Sequence, residues 1–224
     1  MDEGTSYFHI LITGGGTIGY ILWSLSLLTT TLIVRMLLRV RRARLVPQRL
    51  RRQLLTLLPA RQVAQAMEMA SRDPSMLGGL VHAALREQGR GYAAMEQAME
   101  ETAQQRSVVL MRQIEWLNII GNVAPMLGLL GTVWGMILAF FKIVEMGGMA
   151  NPSSLAGAIG VKLVSTLLGL VVAIPAMACY AILRNRLDEL TDQALAAAQE
   201  LIGRVGASDA PAPHHPRREP PASP

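Results

Sequence analysis

Thr132, Thr166 and Ser165 carry hydroxyls inside long uncharged stretches, where a hydroxyl must find a partner because lipid offers none. Residues three or four apart share a helix face. Pro125, Gly128, Thr132, Gly135 and Ala139 therefore form one stripe of small or kinking residues, with Gly131 beside it. Thr166, Gly169, Ala173 and Ala176 form a matching stripe, with Ser165 next to it and Pro175 towards its inner end. Small residues let helix backbones approach, so the glycines and alanines fit helix packing, and a threonine can bond its own helix carbonyl. The threonines allow a second reading. Each lies near mid-depth on antiparallel neighbours, so the two could sit level and mark a polar spot lining a protein-filled pore.

Ion relays within membranes normally use Asp, Glu or His, and neither stretch holds one at depth. The deeper charge is Lys162, about two helical turns in from the outer end of the last stretch. A lysine there can snorkel to the outer head groups. If the chain works in an ion-driven machine, the carboxylate that takes up the ion must come from another subunit. No glycine-rich phosphate loop, Cys/His cluster of ligand spacing or GxSxG elbow occurs, and His214 and His215 fall in a proline-rich tail. The expectation is a chain that is not an enzyme and has no cofactor or metal.

These residues must be positioned by membrane helices. Of 224 residues, 51% are hydrophobic and 17% charged, apolar for a soluble domain. Trp116 to Phe141, Gly4 to Val34 and Leu163 to Leu183 are each free of Asp, Glu, Lys and Arg. About 20 apolar residues cross a bilayer, so three spans are expected. Arginines from Arg35 to Arg52 cluster at and just beyond the end of the first span, and Arg184 and Arg186 follow the third, which marks those ends as cytoplasmic. The same placement makes the net charge of +5 a matter of lipid head groups, with no nucleic acid implied. Cys179 stands inside the third span, so disulfides carry nothing.

The expected fold is an all-α membrane protein, three transmembrane helices with long helices extending into a cytoplasmic helical domain. Its order is a periplasmic segment (1–17), span one (18–38), the cytoplasmic domain (39–115), span two (116–143) and a periplasmic loop (144–155). Span three (156–183), a cytoplasmic helix (184–205) and a disordered tail (206–224) complete it. Within the cytoplasmic domain, Asp73-Pro74 reads as an N-cap with proline at the first helical position. Leu77, Leu80, Val81, Ala84 and Leu85 then share one face. A further amphipathic stretch after Gly91 runs through Met95, Ala98, Met99, Ala103, Val108 and Met111 with no breaker before Gly121, so one helix should continue into span two.

GNVAPMLGLLGTVWGMILAF, followed by KLVSTLLGLVVAIPAMACY, closely resembles the signature of the MotA/TolQ/ExbB proton-channel family. The resemblance covers about residues 70 to 190. Three spans suit its ExbB/TolQ branch, ExbB-like in preference, better than the four-span MotA. It implies an inner-membrane, proton-driven motor: a homopentameric ring around two copies of an ExbD- or TolR-like single-span partner whose membrane aspartate binds the proton. A TonB- or TolA-like protein would carry the work to the outer membrane. By the same resemblance, Thr132 and Thr166 match the pore-facing threonines, and Pro125 and Pro175 match the family prolines. One departure stands out. ExbB-type proteins commonly carry a glutamate early in span three, which here falls on Val161 beside Lys162. Lys162 is therefore a candidate to pair with an acid on the partner, and the arginine-rich stretch after span one reads as a lipid-facing collar. A non-conducting scaffold is the competing reading.

Overall fold

The computed structural model describes residues 16–145 and 152–209, of which 16, 152–156, 158 and 205–209 are described by their backbone alone. The expected first residues, most of the periplasmic loop and most of the tail lie outside the described residues. Described residues form α-helices α1 (Gly16–Arg39), α2 (Arg42–Leu45), α3 (Gln48–Leu57), α4 (Val63–Arg72) and α5 (Met76–Arg86). A 3-10 turn at Gln88–Arg90 leads to α6 (Tyr92–Glu145), and α7 spans Pro152–Asp209. The protein is all-α, and α1, α6 and α7 are each long and apolar enough to cross a membrane. Helix α7 starts at Pro152, inside the stretch expected as loop, and runs to Asp209, into the stretch expected as tail.

The chain divides into two units, one of residues up to Arg41 with Ser107–Glu189, the other of Arg42–Arg106 with residues from Leu190 on. In the first, α1 lies with the apolar lengths of α6 and α7. Ile120, Ala124, Val172 and Ala173 form its buried centre, and Leu25 and Leu32 of α1 pack against it. Trp134, Leu129, Phe140 and Phe141 of α6 and Ile174 of α7 remain exposed. An apolar surface of that extent belongs against lipid or other chains.

In the second unit the apolar face expected on α5 is inside: Leu77, Leu80, Val81, Ala84 and Leu85 are all buried. Helix α5 packs on α4, whose Ala66 and Ala70 are buried too, small side chains that let two helices approach. Met95, Met99 and Ala103 of α6 are buried too, as are Leu190, Ala194, Ala198, Leu201 and Ile202 of α7, each set at helical spacing. Val108 of the same predicted stripe is exposed. The turn before α6 ends at Gly91, whose φ of +94° a side chain would oppose.

One expected cap is corrected. Helix α5 starts two residues later, at Met76, and Ser75 is its N-cap, accepting from the Gly78 N–H at 3.1 Å. Asp73 cannot serve because its Oδ1 accepts from the Ser75 N–H at 2.8 Å while its backbone ends α4. The carboxylate thus closes a turn across Pro74, and the serine takes the helix.

Candidate functional site

The predicted residues meet along the seam between α6 and α7, which run antiparallel. Gly121 faces Met177, Gly128 faces Ser165, Thr166 and Gly169, Gly131 faces Ser165, and Gly135 faces the Lys162 side chain. The approach is close enough to demand glycine. A Cβ at Gly128 would lie 2.7 Å from the Ser165 carbonyl oxygen and 2.9 Å from the Thr166 Cα. One at Gly169 would lie 2.6 Å from the Ala124 carbonyl oxygen. Ala173 and Ala176 are buried in the same seam, whereas Ala139 is half-buried. The two small-residue stripes therefore face each other within one chain.

This pairing brings the hydroxyls to one level. Thr132, 5% exposed, donates to the Leu129 carbonyl at 2.8 Å. Thr166 donates across the seam to the Gly128 carbonyl at 3.3 Å. Both spend their proton on backbone, so each offers only lone pairs to a further group. Ser165 differs. It is fully buried against Gly131, whose missing side chain gives it room, and its Oγ has no hydrogen-bond partner among the described residues. A buried hydroxyl left unpaired costs about 1–3 kcal/mol, so Ser165 is the member of this cluster with a donor to give.

Lys162 lies one turn before Ser165 in α7, its stem laid along Gly135 and its side chain half-buried. Pro125 is half-buried and Pro175 exposed, each inside a continuous helix. Each lacks the N–H that would bond the carbonyl four residues earlier, at Gly121 and Val171. Among the described residues of the three apolar stretches there is no carboxylate.

Three contacts around Glu115 and Gln113 escaped the sequence reading. Tyr180 donates to Glu115 Oε2 at 3.3 Å, and Asn118 donates to Oε1 of the same carboxylate at 2.7 Å. Arg39 of α1 donates to Gln113. Glu115 directly precedes the uncharged run and reads as a boundary residue. Its spacing from Tyr180 in the sequence carries no signal until α7 is laid against α6. In the second unit, a cleft of about 270 Å³ is lined by Glu87, Arg90, Gln97 and Glu101. Its polar groups are already bonded among themselves, Arg90 to Glu87 at 3.1 Å and Gln97 to Glu101 at 2.9 Å. No group of three or more His, Cys, Asp or Glu placed to hold a metal occurs among the described residues.

The sequence pattern of the MotA/TolQ/ExbB proton channel family matches residues 67–195, which include the whole seam. The chain belongs to that family. It is similar to the biopolymer transport protein ExbB of Neisseria gonorrhoeae, 40% identical over 100 residues, or 43% of this chain and 45% of that protein. ExbB of Xanthomonas campestris pv. campestris is 33% identical over 121 residues, 54% of this chain and 46% of that one. A putative ExbB homolog of Methanothermobacter thermautotrophicus is 32% identical over 129 residues, 58% and 45% of the two chains. The chain thus spans about half the length of the curated relatives it matches. Among solved structures, C. jejuni MotAB is similar with a TM-score of 0.48 and 18% identity, over 81% of this chain and 77% of that one.

Proposed function

We propose that this chain is the pore-forming subunit of an ExbB/TolQ-like, proton-driven motor of the bacterial inner membrane. In this reading five copies form a ring with N-termini periplasmic and C-termini cytoplasmic. Two ExbD- or TolR-like single-span helices stand inside, and their membrane carboxylate carries the proton. The work passes to a TonB- or TolA-like protein for outer-membrane transport or envelope maintenance. One charge crossing 100 mV releases about 2.3 kcal/mol, enough to bias a packed interface with two nearly equal arrangements.

The observation that carries this reading is the polar level at Thr132, Ser165 and Thr166, with one buried hydroxyl unsatisfied, in a membrane seam without an acid of its own. A site that offers hydroxyls and lacks a titrating group suits a channel wall whose proton ligand is supplied by another chain. Lys162, beside the place of the family glutamate, would meet an acid of the partner. The scaffold reading has its own support, since the glycine stripes are engaged in packing within the chain.

Thr132→Val and Thr166→Val separate the two. Both changes keep volume, so the ring should still assemble, checked by native mass measurement of the complex with its partner. A motor loses proton-driven work in reconstituted membranes. A scaffold keeps it, and full activity of the double variant would overturn the motor reading.

A further inference from the structure

Between Gly4 and Met67 the chain holds no Asp or Glu, yet nine arginines fall between Arg35 and Arg61. Among them, Arg39 is engaged with Gln113 and Arg51 with Glu200. Four more lie together in the second unit. Arg42 and Arg44 on α2 and Arg49 and Arg52 on α3 are all exposed, and among the described residues no salt bridge reaches any of them. Helix α3 explains why they face out. Leu50 and Leu54 turn inward and are buried with Leu45, Val46 and Leu58, so the opposite face shows Arg49, Arg52, Gln53 and Thr56. Its apolar side is already used, so this helix has no greasy face left to insert into lipid. Whatever covers the charged face must be bound by charge.

We propose that the exposed face of α2 and α3 is a binding surface for anionic phospholipid head groups of the membrane that α1 crosses. Tethering selects lipid over other polyanions. Arg42 is three residues beyond Arg39, the last residue of α1, so the chain holds it within about 11 Å of the end of a membrane-spanning helix. Head-group phosphates are the anions at highest local concentration there. Guanidinium suits them because its planar fork bonds two phosphate oxygens at once. Each arginine near an anionic surface favours partition by about fivefold. The surface is independent of whether the protein conducts protons.

The test places a fluorophore at Gln53→Cys, on the exposed face of α3, in a Cys179→Ser background of the full chain in nanodiscs. Quenching by a head-group nitroxide lipid reports contact with the bilayer surface. With about a third phosphatidylglycerol, quenching is expected to be strong, and in pure phosphatidylcholine weak. It should fall at about 0.5 M NaCl, where screening is nearly complete. Replacing Arg42, Arg44, Arg49 and Arg52 together by Gln should lower the apparent affinity for phosphatidylglycerol by at least about tenfold, while replacement by Lys should largely retain it. Equal quenching in both lipids, or no change in the Gln variant, would overturn the proposal. So would poly(U) RNA binding the detergent-solubilised chain more tightly than phosphatidylglycerol micelles do. Should the Gln variant unfold, the lipid and salt dependence of the parent chain still decides.

Discussion

Replacing Gly128 by alanine tests the seam on which the site depends. The new Cβ would meet the Ser165 carbonyl at 2.7 Å and the Thr166 Cα at 2.9 Å, both backbone atoms that cannot rotate away. The helices must separate, and overpacking of this kind costs about 1–3 kcal/mol. Separation also stretches the Thr166 to Gly128 bond, already 3.3 Å, a further loss of about 0.6 kcal/mol for a hydrogen bond between membrane helices. Against this, alanine is the better helix former by about 1 kcal/mol. The net destabilisation is about 0.5–2.5 kcal/mol. Gly160, in the same helix as Gly169, has nothing within 4 Å of its would-be Cβ, so Gly160→Ala keeps only the gain of about 1 kcal/mol. The two substitutions are chemically the same and should move stability in opposite directions. Unfolding in mixed micelles by SDS titration, followed by helical circular dichroism, measures both. A Gly128→Ala protein as stable as Gly160→Ala would refute the close approach. Gly169→Ala presses on the same seam, so combining it with Gly128→Ala should cost less than the sum.

Ser165→Ala should raise stability in the isolated chain by about 1–2 kcal/mol, because it removes a buried hydroxyl with no partner; the same titration reads it, and a loss instead would mean that the hydroxyl is bonded. Ser75→Ala should cost about 1 kcal/mol by removing the α5 cap, visible as faster amide exchange at Gly78. Hydrogen bonding and charge from Arg51 hold the Glu200 carboxyl below its ordinary value. A lowered folded-state pKa stabilises the protein above the unfolded carboxylate value and the effect is lost as pH falls through the folded one. The melting difference between the parent and Glu200→Gln should therefore be present at neutral pH, shrink in acid and weaken with salt, as expected for an exposed pair.

Apolar content read along the chain was enough to expect an all-α membrane protein, because a bilayer requires long uncharged segments and spans leave that mark in consecutive residues. The GNVAPMLGLLGTVWG and AIPA motifs were likewise enough to suggest the family, since they are local strings. Helical spacing also placed Leu77, Leu80, Val81, Ala84 and Leu85 on one buried face, because periodicity is a property of a single helix. Capping at Ser75 instead of Asp73 was not legible. Both residue types cap helices, and only the backbone decides which oxygen is already committed. The same limit applies to the site. Sequence put Gly128 and Gly169 on small-residue stripes and Thr132 and Thr166 at mid-depth, but it could not say what those stripes would meet. Tertiary structure decided that they meet each other, that Lys162 lies along Gly135, and that Ser165 is the hydroxyl left without a partner. Tyr180 and Glu115, without a common motif, join for the same reason. Which residues face each other across two helices depends on where both surfaces are low at once, and that is a property of the pair, absent from either segment alone.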